Sequence, residues 1–238
     1  MRHGGFVHGA ELFGGARFGV SPAEAAAMDP QQRLVLERGY EALHAARHER
    51  GALSGSVAGV FVGIAASEFA QLLALTPAGA SVYSATGSTH SIACGRVSYA
   101  LGLHGPCAAY DTACSAALVA SHAAVRALQR DECALGLAAG VNLTLAPATG
   151  ASFALAGMTS PRGRSCTFDA RADGYARAEA CGGVALARRG NANGGATGAL
   201  AVVTRPMARS VGLRGDTAKG GAAEEETTGP GEGGAAAA

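Results

Sequence analysis

With 238 residues, 48% hydrophobic and 16% charged, the chain has enough apolar material for one sizeable core or two small ones. Its 19 basic and 18 acidic residues leave a net charge of +1, which gives no global attraction for nucleic acid or an anionic membrane. Tryptophan is absent and aromatics make up only 5%, so the core has to be built from Ala, Leu and Val, and function has to come from a site.

Residues 1–20 are glycine-rich and read as an irregular segment lying over a core through Phe6, Leu12, Phe13 and Phe18. Ser21-Pro22-Ala23-Glu24 is a capping box with Pro at the first helical position, which predicts a short helix from Pro22 to Met28. Asp29-Pro30-Gln31-Gln32 repeats the pattern and opens a longer helix with an apolar stripe at Leu36, Tyr40 and Leu43. Val57 to Ala65 reads as a strand buried on both faces, and Ser67 to Leu75 as a short helix. A further helix is expected from Thr86 to Leu101, with Ile92, Val97, Ala100 and Leu101 inward and Gly102 as C-cap.

Pro106 forces an exit into a strand from Cys107 to Thr112. Ser115 then stands where it can cap a helix to about Gln129 with Leu118, Val125 and Leu128 facing in. From Leu135 to Leu145 apolar residues occupy every second position, which marks a central strand. Residues 148–157 are expected to be helical, Ser160 to Gly163 to turn, and Cys181 to Ala187 to form a last strand. Alternating strands and helices of these lengths predict a layered α/β fold on a mostly parallel sheet.

The organisation expected is a domain over residues 1–189, a linker and remnant strand over 190–213, and a tail over 214–238. Beyond Leu213 there is no Leu, Ile, Val, Phe or Tyr, so the tail has nothing to bury and is expected to be disordered. Its Glu224-Glu225-Glu226 run reads as a solvated charge cluster.

Six cysteines, at 94, 107, 114, 133, 166 and 181, form no C-x-x-C pair, which argues against a zinc knuckle or a redox dithiol. No apolar signal core follows Met1, and no stretch approaches the roughly 20 apolar residues of a membrane span. A cytoplasmic protein with free thiols is expected. Cys114 stands where a strand meets a helix, beside unpaired N–H groups and the positive end of the helix dipole, both of which favour thiolate. The same N–H groups are placed to hold an oxyanion formed on attack at an acyl carbon. On position alone, a buried inert thiol is the alternative.

The residues then point to a family. Met28-Asp29-Pro30-Gln31-Gln32-Arg33-Leu34, Gly95-Arg96-Val97-Ser98-Tyr99, Gly105-Pro106, Asp111-Thr112-Ala113-Cys114-Ser115, Ala156-Gly157-Met158, Ser160-Pro161, Thr167-Phe168-Asp169 and Ala172-Asp173-Gly174-Tyr175 follow one another in order. Over about Gly4 to Arg188 the chain resembles the N-terminal half of the β-ketoacyl synthase domain of modular polyketide synthases and fatty acid synthases. A lone T-A-C-S would be a weak signal; the ordered set is a strong one.

The resemblance implies a thiolase-like fold of helix, sheet and helix layers, and Cys114 as nucleophile with its own backbone N–H as one oxyanion donor. It implies an acyl group received from the phosphopantetheine of an acyl carrier protein, then decarboxylative condensation with a malonyl-type extender, with no bound cofactor and no metal. Its implied partners are the carrier protein and a second copy of the chain or a full-length synthase, with no nucleic acid and no membrane.

The departures are as informative. The family's two catalytic histidines and a lysine lie in its C-terminal half, and no H-G-T-G-T-like segment occurs here; the histidines at 3, 8, 44, 48, 90, 104 and 122 do not match by context. The family's first strand is also not matched, so both ends are expected to be cut, through a fragment or a gene-model error. The chain is accordingly expected to be inactive alone, with a non-catalytic fragment or pairing module as the alternative, and a different cysteine acyl hydrolase as a third reading that lacks a base. Ala176, Ala178 and Ala180 stand where the resemblance leads one to expect glycines, which brings local strain at positive φ or against a close backbone neighbour. Arg162, Arg164, Arg171 and Arg177 are candidates to meet an acidic carrier, against a simpler reading as solvated charges.

Overall fold

Five strands make one sheet: β1 (Ala58–Ile64), β2 (Cys107–Tyr110), β3 (Leu135–Asn142), β4 (Ala180–Arg188) and β5 (Ala199–Val203), in spatial order β2-β1-β3-β4-β5. The structure, a computed structural model, describes residues 3–65 and 68–188, and the backbone of 199–203. The expected linker over 190–198 and the tail from 214 lie outside the described residues. Eight helices run in chain order among the described residues: α1 (Pro22–Ala27), α2 (Pro30–Ala45), α3 (Arg50–Leu53), α4 (Phe69–Leu73), α5 (Ser84–Gly87), α6 (His90–Leu101), α7 (Ala116–Gln129) and α8 (Pro147–Leu155). None of them is long and apolar enough to cross a membrane.

The period-2 run becomes the middle strand, and its alternation builds the layers. Leu135, Leu137, Ala139 and Val141 of β3, with Val60, Val62 and Ile64 of β1, join the cluster under α2 and α6. The intervening Phe61 and Ala138 join the smaller cluster under α7. The outcome is a helix, sheet and helix sandwich in which α2 packs on β3 and β4, α6 on β1 and β2, and α7 on the opposite face.

The sheet is less parallel than expected. β1 pairs parallel with β2 and β3, whereas β3/β4 and β4/β5 are antiparallel. A parallel return needs a crossover helix lying on the sheet. Here α8 buries only Gly150, and the irregular segment after it brings the chain back to the C-terminal end of β3, where Ala180 pairs with Asn142. β3 also stops at Asn142, three residues short of Leu145, and the strand read as ending at Thr112 stops at Tyr110.

Small residues decide how close α7 comes. A Cβ on Gly63 would lie 2.4 Å from the Ala117 nitrogen, and one on Gly140 2.7 Å from Ala117 Cβ. Only a helix face of similarly small side chains fits such a surface, and α7 buries Ala116, Ala120, Ala124, Ala127 and Leu128. Leu118, expected inward, is 73% exposed, and Val125 is half-buried. Size, taken as the guide to the inward face, pointed the wrong way because the sheet opposite is built of glycine and alanine.

The predicted helix starts hold with adjustments. Ser21 Oγ accepts from the Glu24 N–H at 3.1 Å, but the Glu24 carboxylate pairs with Arg96 instead of closing a capping box. Asp29 caps α2 through the Gln31 N–H at 2.8 Å. The helix expected from Thr86 is split: Thr86 belongs to α5, and α6 starts at His90 and ends at Leu101, capped by Gly102 with φ 66°. The buried Gln32 amide holds that junction by donating to the Thr86 and Thr89 carbonyls, each at 3.1 Å. None of Ala176, Ala178 and Ala180 has a positive φ, so no left-handed backbone strain arises at these three alanines. Instead Gly5 is the constrained partner, since its Cβ would sit 3.2 Å from Ala178 Cβ.

Candidate active site

β2 ends at Tyr110, and the chain makes a tight 3-10 turn over Ala113–Ser115 before α7 begins. Three local devices shape this turn. The Asp111 carboxylate accepts from the Ala113 N–H at 3.1 Å, an Asx turn. Ala113 then adopts φ 53°, a left-handed conformation that costs a non-glycine residue about 1 kcal/mol or more. Ser115 Oγ donates back to the Thr112 carbonyl at 2.8 Å and lies 2.9 Å from Thr112 Oγ1. Ser115 was expected to cap α7; its side chain braces the preceding turn instead.

The consequence is that Cys114 is presented at the N-terminal end of α7 with its side chain exposed. The thiol is therefore not the buried one that position alone left open as the alternative. Neighbouring N–H groups are occupied: Ala113 by Asp111, Ser115 by the Thr112 carbonyl at 3.3 Å, and Ala116 by the Ala113 carbonyl. The Cys114 N–H has no partner among the described residues. An exposed sulfur, an unspent N–H on the same residue and the positive end of a helix dipole make a centre suited to nucleophilic attack on an acyl carbon. The rest of α7 holds this end in place through Gly63 and Gly140, the close-approach positions on β1 and β3.

No described histidine is hydrogen-bonded to Cys114. His122 is exposed on α7, as expected of a helix-face residue. His90 is half-buried at the start of α6, and its Nε2 is buried without a partner. The arginines raised as carrier contacts are largely spent locally. Arg162 pairs with Asp173 at 2.7 Å and Arg171 with Asp169 at 2.7 Å, while the Arg177 guanidinium lies 4.4 Å from the centre of the Phe153 ring. The Arg171 hydrogen bonds hold the Asp169 carboxyl below the usual carboxylate range. Among the described residues no group of three His, Cys, Asp or Glu is placed to hold a metal ion.

The residues that sequence reading passed over are Asp111, Ala113 and Thr112, which set the turn. The signal was present in Asp111, a side chain that closes on the backbone two residues ahead.

Residues 1–192 match the family described as "Beta-ketoacyl synthase, N-terminal domain". The chain is 46% identical over 200 residues to a phenolphthiocerol/phthiocerol polyketide synthase of Mycobacterium tuberculosis, covering 84% of this chain and 13% of that protein. It is 44% identical over 202 residues to polyketide synthase GfsB of Streptomyces halstedii, covering 85% of this chain and 4% of that protein. Among solved structures, the ketosynthase from module 6 of the bacillaene synthase of Bacillus subtilis 168 superposes with a TM-score of 0.70 at 36% identity, over 76% of this chain and 31% of that one. The oxazolomycin ketosynthase domain OzmH KS7 of Streptomyces albus JA3453 gives 0.72 at 35% identity, over 78% of this chain and 33% of that one. The chain thus spans a small part of those synthases and about a third of each of those ketosynthase chains.

Proposed function

Since the chain belongs to the β-ketoacyl synthase N-terminal domain family, we propose that it is the nucleophile-bearing part of a polyketide synthase ketosynthase, with Cys114 as the acyl acceptor. The observation that carries the reading is the exposed Cys114 thiol with its own N–H unspent, on a turn braced by Asp111, Thr112 and Ser115.

The proposed step is transthioesterification. The Cys114 thiolate attacks the carbonyl carbon of an acyl thioester carried on the phosphopantetheine of an acyl carrier protein. The carbonyl oxygen takes the electron pair and is met by the Cys114 N–H; the C–S bond to the carrier then breaks, and the released thiol takes up a proton. In the condensation that follows in the proposed cycle, a malonyl-type carrier thioester loses carbon dioxide. Its carbanion attacks the acyl-cysteine, which returns the Cys114 sulfur as leaving group. That step needs a second oxyanion donor and a proton-bearing group at the enolate. No histidine of this chain is bonded to Cys114 to supply them, so we propose that the 238 residues alone stop at the acyl-enzyme. Pairing with a second copy or a full-length synthase, and a cytoplasmic setting that keeps six thiols free, belong to the same reading.

The test is incubation of the chain with an acyl-pantetheine thioester, followed by intact mass measurement. One acyl increment is expected on the natural sequence and none on Cys114→Ala. No adduct on folded natural protein would favour the alternative, a pairing module that accepts no acyl group. Added malonyl thioester is expected to give no condensed product.

A further inference from the structure

The first turn of α7 carries an apolar side chain that the sheet does not use. The close approach to Gly63 and Gly140 commits Ala116, Ala120, Ala124 and Ala127 to the sheet. That fixes the rotation of the helix and turns Leu118 away, 73% exposed. Cys114, Leu118 and His122 are all exposed and stand four residues apart, a spacing that puts them along one outward face. The path from the sulfur to Leu118 is helical: Cys114 lies in the 3-10 turn, and Ser115 and Ala116 both hold right-handed helical angles. Side chains on an α-helix lean toward its N-terminus and cover the turn that precedes them, and for Leu118 that is the turn of Cys114.

The nucleophile therefore has two unlike sides. The turn itself is polar, with Asp111, Thr112 and Ser115 bonded to its backbone or to one another. On the helix side stands the bare isobutyl group of Leu118.

We propose that Leu118 determines which acyl thioesters react at Cys114, by giving the acyl chain an apolar surface to lie on. This rests on the acyl-accepting role proposed above for Cys114. Helix side chains four residues apart stand about 5–6 Å from one another at Cβ, a gap that the methyl group of an acetyl donor does not cross and a six-carbon chain does. Each methylene covered by Leu118 leaves water and favours the longer donor, so the selectivity is for linear acyl groups of medium length over acetyl. The bonds exchanged are the same for both: the acyl carbon joins the Cys114 sulfur, its bond to the donor sulfur breaks, and the released thiol takes up the proton.

The test is a competition on the full-length chain. Acetyl-pantetheine and hexanoyl-pantetheine are supplied in equal amounts, and the ratio of the two acyl groups on Cys114 is read by peptide mass spectrometry at early times. The natural chain should favour hexanoyl, and Leu118→Ser should lower the hexanoyl-to-acetyl ratio about fivefold. Leu118→Met, which keeps an apolar side chain of similar length, should hold the ratio. Alkylation of Cys114 by iodoacetamide, which has no acyl chain to lay on the helix, should be equal in all three chains. Leu12 is a matched control, because it is 69% exposed and lines a surface hollow with Leu34 and Glu37 of α2, on the opposite face of the sheet from α7. Leu12→Ser should leave the ratio as it is. Acylation of Cys114 with a ratio that Leu118→Ser does not change, or that Leu12→Ser lowers equally, would overturn this inference alone. A folded natural chain that takes neither acyl group would overturn it together with the acyl-accepting role of Cys114.

Discussion

Cys107 and Cys114 stand at the two ends of one short segment, strand β2 and the turn that follows it, and both are exposed. Their surroundings differ in kind. Cys107 stands inside a strand, in register with Val60 of β1. Cys114 is governed by backbone: a left-handed residue before it, a helix start after it, and an N–H left over. The difference teaches that exposure alone does not make the two positions alike: only the Cys114 turn leaves a backbone donor beside its sulfur for an oxygen that becomes charged.

The largest effect should come from disturbing the Cys114 end alone. Gly63→Ala forces a methyl group to 2.4 Å from the Ala117 nitrogen, so α7 has to move. A loss of about 3 kcal/mol in urea unfolding is expected, at the upper end of overpacking costs. Acylation should fall sharply at temperatures where the variant remains folded. Gly182→Ala, whose Cβ meets nothing within 4 Å, is the matched control and should stay within about 0.5 kcal/mol. Equal losses in the two variants would show that α7 is not seated by its close approach to Gly63.

An intermediate effect is expected at the other end. With its thiol lowered to about 6, Cys107 in the Cys114→Ala chain should alkylate with iodoacetamide at a rate that rises through pH 6 and is flat above about pH 7. Protonation below that midpoint removes the nucleophile, so the rate is lost as pH falls. Cys94→Ala removes the hydrogen bond that stabilises the thiolate, and the midpoint should climb toward the ordinary value of 9.0. An unchanged profile would show that Cys94 does not set Cys107. The smallest effect belongs to Ser115→Ala, which deletes two local bonds on an exposed turn. It should cost about 1 kcal/mol and lower acylation severalfold while leaving Cys107 alkylation unchanged.

The contrast also explains what was legible in the sequence. The alternation from Leu135 disclosed β3, and Pro at the first helical positions disclosed α1 and α2, because each is a local rule acting on neighbouring residues. Cys114 was legible for the same reason, since a strand, a turn and a helix start are written contiguously around it. Leu118 was misread because the surface that α7 meets is made by Gly63 and Gly140, residues far from it in sequence. The antiparallel return of β4 was missed because α8 looks like a crossover helix but does not lie on the sheet.

The central claim is that the acyl group rests on Cys114, and both exposed thiols fall in tryptic peptide 97–126, so one fragmentation spectrum decides it. After reaction of the natural chain with an acyl-pantetheine thioester, the acyl mass is expected on the fragments that contain Cys114 and not on those that end at Cys107. An acyl group found on Cys107, with Cys114 unmodified, would contradict it.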